Sequence, residues 1–126
     1  MSRILIVDDD PAIVEAVTMV LHAKNHEVIQ AHGGVEGLEK ARKEKPDAII
    51  LDVMMPDKDG YAVCKELKAD PRYKNIPILL LTAVVSHIPT TTYTHRMGME
   101  TEADDYVDKP VEPVELLRLV ERLLKK

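Results

Sequence analysis

Residues 3–17 read RILIVDDDPAIVEAV, and this stretch decides the fold. Ile4 to Val7 is a short, unbroken apolar run rich in β-branched side chains. Such a run is the pattern of a strand buried on both faces, as in a parallel sheet covered by helices. The apolar spacing then changes, because Ile13, Val14, Val17 and Leu21 fall on one face of a helix. Between the two patterns stand Asp8, Asp9 and Asp10. Like charges about 4 Å apart repel by roughly 1 kcal/mol in water and about 4 kcal/mol near a protein surface. Something positive is therefore expected beside them. Asp10, followed by Pro11, suits a helix N-cap with a first-turn proline.

The same alternation recurs down the chain. EVIQA (27–31), DAIILD (47–52) and IPILLLT (76–82) resemble the first run. Val35, Leu38 and Ala41, and then Val63 and Leu67, carry helical spacing. DDYVDKP (104–110) reads as a short fifth strand. A final amphipathic helix carries Leu116, Leu117, Val120, Leu123 and Leu124, with Pro113 in its first turn and Lys125 and Lys126 at its C-terminus. Strand and helix alternate about five times, which predicts an α/β fold: a doubly wound, five-stranded parallel sheet with helices on both faces and right-handed crossovers. A further helix belongs in residues 83–105, but Pro89, Thr90, Thr91, Thr92 and Thr94 are poor helix formers, so a short or displaced element is expected there.

With 126 residues, one domain with a normal core is expected over 1–126. Lys+Arg 17 against Asp+Glu 22 gives a net charge of -5, which argues against direct binding to nucleic acid or an anionic membrane. The lone Cys64 excludes an intrachain disulfide and suits a buried core position in a reducing compartment. No apolar run approaches the roughly 18 residues of a membrane span, and MSRILIVDDD lacks the apolar stretch and cleavage site of a signal peptide, so a cytoplasmic location is expected.

In a doubly wound sheet, ligands bind beyond the carboxyl ends of the strands, where strand order reverses. Asp8 and Asp9 end the first strand and Asp52 ends the third; if these strands are neighbours, three carboxylates converge on one cleft. Oxygen-only ligands suit a hard cation such as Mg²⁺. Thr82 closes the fourth strand with a hydroxyl and Lys109 follows the fifth with an ammonium. Together these groups suit phosphoryl transfer, which depends on positioning and charge neutralisation, with Asp52 as the nucleophile.

These residues, in this order, resemble the receiver domain of two-component response regulators, a CheY-like, flavodoxin-like fold with strand order 2-1-3-4-5. The resemblance runs through ILIVDDDP, IILDVMMPDKDGYAVCKEL, IPILLLTA and DDYVDKPVEPVELL, nearly the whole chain. It implies that Asp52 is the phosphoacceptor and that Asp8 and Asp9 hold Mg²⁺, Asp9 directly and Asp8 mainly through a water. The backbone carbonyl of Met54 would complete the metal ligands. It further implies that Thr82 is the switch hydroxyl, Lys109 the lysine that pairs with the phosphoryl group, Tyr106 the aromatic that changes rotamer, and the Lys109 to Pro110 bond cis. The implied function is a phosphorylation switch and not an enzyme. It would take its phosphoryl group from a sensor histidine kinase or a histidine phosphotransfer protein and signal to a downstream protein, with a phosphorylation-dependent homodimer as one form of output. A stand-alone regulator is expected, unless an output domain has been removed from a longer chain.

The chain departs from the family pattern between Thr82 and Lys109, where it is several residues longer, and MGMETEADDY replaces the usual GADDY-like turn. That segment carries either partner choice or ordinary loop variation. Met54 and Val84, two residues beyond Asp52 and Thr82, are apolar and cannot orient a hydrolytic water, which predicts slow self-dephosphorylation. Two alternatives stand beside the switch. One is a Mg²⁺-dependent phosphohydrolase working through an aspartyl phosphate; the other is a binding module that keeps the fold without using phosphate. DKDG (57–60) reads as a turn, Met54 and Met55 as loop packing, and His22 and His26 as solvated side chains.

Overall fold

The computed structural model describes residues 2–83, 103–109 and 111–125. Along the chain it contains β1 (Arg3–Val7), α1 (Pro11–Ala23), β2 (Glu27–Ala31), α2 (Gly34–Glu44), β3 (Ala48–Asp52), α3 (Gly60–Ala69), β4 (Ile78–Ala83), β5 (Asp105–Lys109) and α4 (Pro113–Leu124). All pairings are parallel, and the sheet order is β2-β1-β3-β4-β5, as expected.

The period-two alternation of side chains divides each apolar run between two cores. Leu5, Val7, Ile49, Leu51, Ile78 and Leu80 pack toward α2 and α3. Ile4, Ile6, Ile50, Leu79 and Leu81 pack toward α1 and α4. The inner strands are thus apolar on both faces because each face has its own helical cover. On α4, Leu116, Leu117, Leu119, Val120 and Leu123 are buried, a gross hydrophobic contribution on the order of 10 kcal/mol at about 2 kcal/mol per side chain. Pro113 opens that helix, and Cys64 is fully buried in the α2/α3 core.

Three expectations are corrected. EVIQA forms β2, but as an edge strand it is buried only at Ala31. Val35 is 46% exposed, because α2 turns Gly34, Gly37, Leu38 and Ala41 inward; a Cβ on Gly37 would lie 2.7 Å from Val7 Cγ1, so the helix sits against β1 through a bare backbone. His26 is not solvated. Its side chain is 9% exposed and its Nε2 lies 3.2 Å from Glu121 Oε2 of α4.

Residues 84–102, which make up most of the span where a further helix is expected, lie outside the described residues, as do the role of Val84 and the cis bond at Pro110.

Candidate functional site

The order in which strands are added to the sheet reverses between β1 and β3, and both strands lead into acids at their carboxyl ends. Val7 pairs in register with Leu51, so Asp8 and Asp52 emerge side by side at the carboxyl edge. Asp8 is fully buried, and Asp52 is 2% exposed. Asp9 lies exposed at the rim. Each of the three offers a carboxylate oxygen within 4.8 Å of the others. Two unit charges at that separation repel by about 3.5 kcal/mol at an effective dielectric constant of about 20.

The compensating cation comes from β5. Lys109 Nζ lies 3.0 Å from Asp8 Oδ2 and 3.0 Å from Asp52 Oδ1. One ammonium faces three carboxylates, and a divalent cation would offset the negative charge that the lysine leaves uncompensated. Burial pushes the Asp52 carboxyl up to about 6; the Lys109 ammonium opposes this, the Asp8 charge adds to it, and the Met54 backbone N–H opposes it. Asp52 is therefore mostly ionised at neutral pH. Although Lys109 is close, no aligned hydrogen bond reaches Asp52 Oδ1 among the described residues, so a buried charged oxygen is left open. An all-oxygen donor set with such an oxygen at its centre fits Mg²⁺.

Local sequence chemistry fixes each strand end. Asp8 N–H donates to Ala31 O, extending the β1 to β2 ladder beyond the strand, and Asp8 Oδ1 accepts from the Asp10 N–H at 2.9 Å. Asp10 in turn caps α1 by accepting from the Ala12 N–H. After β3, Val53 N–H donates to Leu81 O and Gly60 N–H returns to Val53 O, closing the loop back onto its own strand. Asp59 caps α3, while Asp57 accepts from the N–H groups of Gly34 and Val35 and so caps α2, whose own N-cap residue is Gly33. Met54 is 66% exposed over this loop and Met55 only 7%.

The structure thus brings Asp8, Asp9, Asp52 and Lys109 together. Thr82, 3% exposed at the end of β4, gives its proton to Asp108 Oδ1 at 2.5 Å, with Val107 O a second acceptor at 3.4 Å. Tyr106 is half-buried and packs against the α2/α3 core. Several participants escaped the sequence reading. Asp108 shares a face of β5 with Tyr106 by alternation, a visible signal, but its partner depends on strand register. Lys68 Nζ donates to the carbonyls of Lys74 and Ile76 and to Asp104 Oδ2, which also accepts from Ile78 N–H; this clip ties the end of α3 to the starts of β4 and β5.

A family model described as the response regulator receiver domain matches residues 4–121. Among curated proteins, the chain is 40% identical over 126 residues to the DNA-binding dual master transcriptional regulator RpaA of Synechocystis, covering 100% of the chain and 50% of that protein. It is also 40% identical over 125 residues to the alkaline phosphatase synthesis transcriptional regulatory protein PhoP of Bacillus subtilis, covering 99% and 49%. The chain spans about half the length of these curated relatives. Among solved structures, a putative response regulator from Chloroflexus aurantiacus superposes with a TM-score of 0.86 at 39% identity, covering 99% of this chain and 98% of that one. The chemotaxis response regulator CheY4 of Vibrio cholerae gives 0.86 at 34%, covering 98% of both.

Proposed function

The chain belongs to the response regulator receiver domain family, and from that premise we propose that Asp52 is its phosphoacceptor and that residues 1–126 work as one phosphorylation switch. The observation that carries this is the position of the Lys109 ammonium, 3.0 Å from each of two buried carboxylates, Asp8 and Asp52, with Asp9 completing the cluster.

Asp52, ionised at neutral pH, supplies the nucleophile. A carboxylate oxygen bonds to phosphorus as the P–N bond of a phosphohistidine donor breaks, and the electron pair of that bond stays on the imidazole nitrogen, which takes up a proton from solvent. Lys109, already placed by the two acids, pairs with a phosphoryl oxygen and holds it in line. Asp8, Asp9, Asp52 and the Met54 carbonyl would hold Mg²⁺, with Asp8 acting mainly through a water. The ion supplies neutralisation of the charge that gathers on the phosphoryl oxygens. Thr82 and Tyr106 form the response, the hydroxyl turning to the phosphoryl group and the ring repacking.

The donor is a sensor histidine kinase or a histidine phosphotransfer protein. Output goes to a downstream protein, with a phosphorylation-dependent homodimer as one form of it. The net charge of -5 supports protein partners over nucleic acid for these residues, and no helix among those described is long and apolar enough to cross a membrane. The cytoplasm suits such a protein. Outside self-phosphorylation from small donors and slow self-dephosphorylation at a site flanked by apolar Met54, no turnover is expected. The phosphohydrolase alternative is not favoured, since Met54 stands where a second acid would act. The assembled acid-lysine cluster speaks against a binding module indifferent to phosphate.

The deciding experiment is intact mass after incubation with acetyl phosphate and Mg²⁺. One phosphoryl group that disappears with Asp52→Asn and with chelation supports the proposal; an adduct that survives Asp52→Asn would overturn it.

A further inference from the structure

Thr82 and Asp108 are register partners on the adjoining strands β4 and β5. Partners in register leave the sheet on the same face, which brings the hydroxyl of one to the carboxylate of the other. A threonine hydroxyl has a single proton to donate, and here it goes to Asp108 Oδ1 at 2.5 Å in preference to the more distant Val107 O at 3.4 Å. The bond is charge-assisted and falls in the short range usual for a hydroxyl on a carboxylate. While it stands, Thr82 cannot donate to a phosphoryl group on Asp52.

The two ends of this bond have unlike surroundings. Thr82 is 3% exposed, whereas Asp108 is exposed at the strand end. A buried carboxylate that lost its donor would be left dry at considerable cost, but an exposed one is taken up by water. The bond therefore holds in the resting protein and opens readily once a stronger acceptor is present.

Resting on the phosphoacceptor reading above, we propose that Asp108 is a positioning residue that holds the Thr82 hydroxyl in reserve until a phosphoryl group on Asp52 competes for its proton. The latch sets the threshold of the switch. If the hydroxyl is free in only about a tenth of resting molecules, apparent affinity for a phosphoryl group is lowered about tenfold. One competing hydrogen bond is of the right size for that factor.

The test uses beryllofluoride with Mg²⁺ as a phosphoryl stand-in, with binding to the parent, Asp108→Ala, Thr82→Ala and the double variant followed by calorimetry. Asp108→Ala should bind about tenfold more tightly than the parent, and the double variant should bind like Thr82→Ala alone. A gain of the same size in the Thr82→Ala background would come from simple removal of a negative charge and would overturn the latch. So would equal affinity of parent and Asp108→Ala when both bind. Failure of the parent to bind at all would overturn the phosphoacceptor reading and this threshold with it. Independently of any phosphate analogue, the Thr82 hydroxyl proton should exchange slowly in the NMR spectrum of the resting parent and rapidly in Asp108→Ala; unchanged protection would show that the bond is not the one holding it.

Discussion

Replacing Gly60 by alanine sets two physical effects against each other, and the structure decides the sign. Gly60 is the first residue of α3, and its φ is not positive, so backbone strain plays no part. On helix propensity alone, Gly→Ala should stabilise the protein by up to about 1 kcal/mol. A Cβ at this position, however, would lie 2.2 Å from Asp52 O and 2.9 Å from both Asp52 C and Val53 Cα. Contacts under 3.0 Å are essentially never made by a Cβ, so backbone must move by at least 0.8 Å (3.0 − 2.2). The neighbours cannot rotate away, because they are the main chain at the end of a fully buried strand. Overpacking of this kind costs typically 1–3 kcal/mol and sometimes more. The net expectation is a loss of about 2 kcal/mol. With a urea m-value of about 2 kcal/mol/M, the unfolding midpoint falls by about 1 M. The displaced atoms carry the proposed phosphoacceptor, so uptake of a phosphoryl group from acetyl phosphate should also slow under conditions where the variant is fully folded. A midpoint equal to or above that of the parent would refute the close-approach argument and leave helix propensity as the governing term.

Other perturbations follow from the same geometry. Asp52 carries a folded-state pKa raised to about 6, chiefly by burial, so its contribution to stability is greatest below the unfolded value near 4 and is lost as pH rises through about 6. In metal-free buffer Asp52→Asn should therefore be more stable than the parent at pH 8, with the difference shrinking toward pH 4; a pH-independent difference in urea titrations would contradict this. Lys109→Ala removes the cation from two buried acids and should slow phosphoryl uptake by about 10–100-fold, the worth of one charge-assisted hydrogen bond. Uptake at the parental rate in a mass time course would rule that role out. Mg²⁺ should raise the thermal midpoint of the parent, reaching about 2.7 kcal/mol of stabilisation at a hundred times its dissociation constant, and should do so much less in Asp9→Ala. Equal shifts in the two would place the ion elsewhere. Lys68→Met removes three donor contacts from a side chain only 7% exposed and should cost about 2–3 kcal/mol in a urea titration; an unchanged midpoint would remove the clip from the account.

The sequence by itself determined the elements and the kinds of group at their ends. Apolar periodicity is a local property: Ile4 to Val7 and Ala48 to Asp52 can be buried only as inner strands, and the Leu116 to Leu123 stripe only as a covered helix face. Once the strand order is set, Asp8, Asp52, Thr82 and Lys109 must lie at one edge, which is why the acids and their lysine are legible in the sequence. The N-cap at Asp10 was equally local, a carboxylate two residues from the amide it accepts.

Only the tertiary structure decided which partner each polar group found. Asp57 lies in what the sequence shows as a turn, yet it caps α2, 23 residues away. His26 looked solvated and instead meets Glu121 across 95 residues. Gly60 reads as the end of a turn, but its bare Cα is what lets α3 start against the carbonyl of Asp52. The Thr82 hydroxyl could face the acids or the neighbouring strand, and the β4 to β5 register gives it to Asp108. Burial of apolar surface is non-directional, so a run of residue types suffices to announce it. Hydrogen bonds and close backbone contacts depend on distance and angle between atoms far apart in the chain, and those are fixed only when the sheet has closed its register.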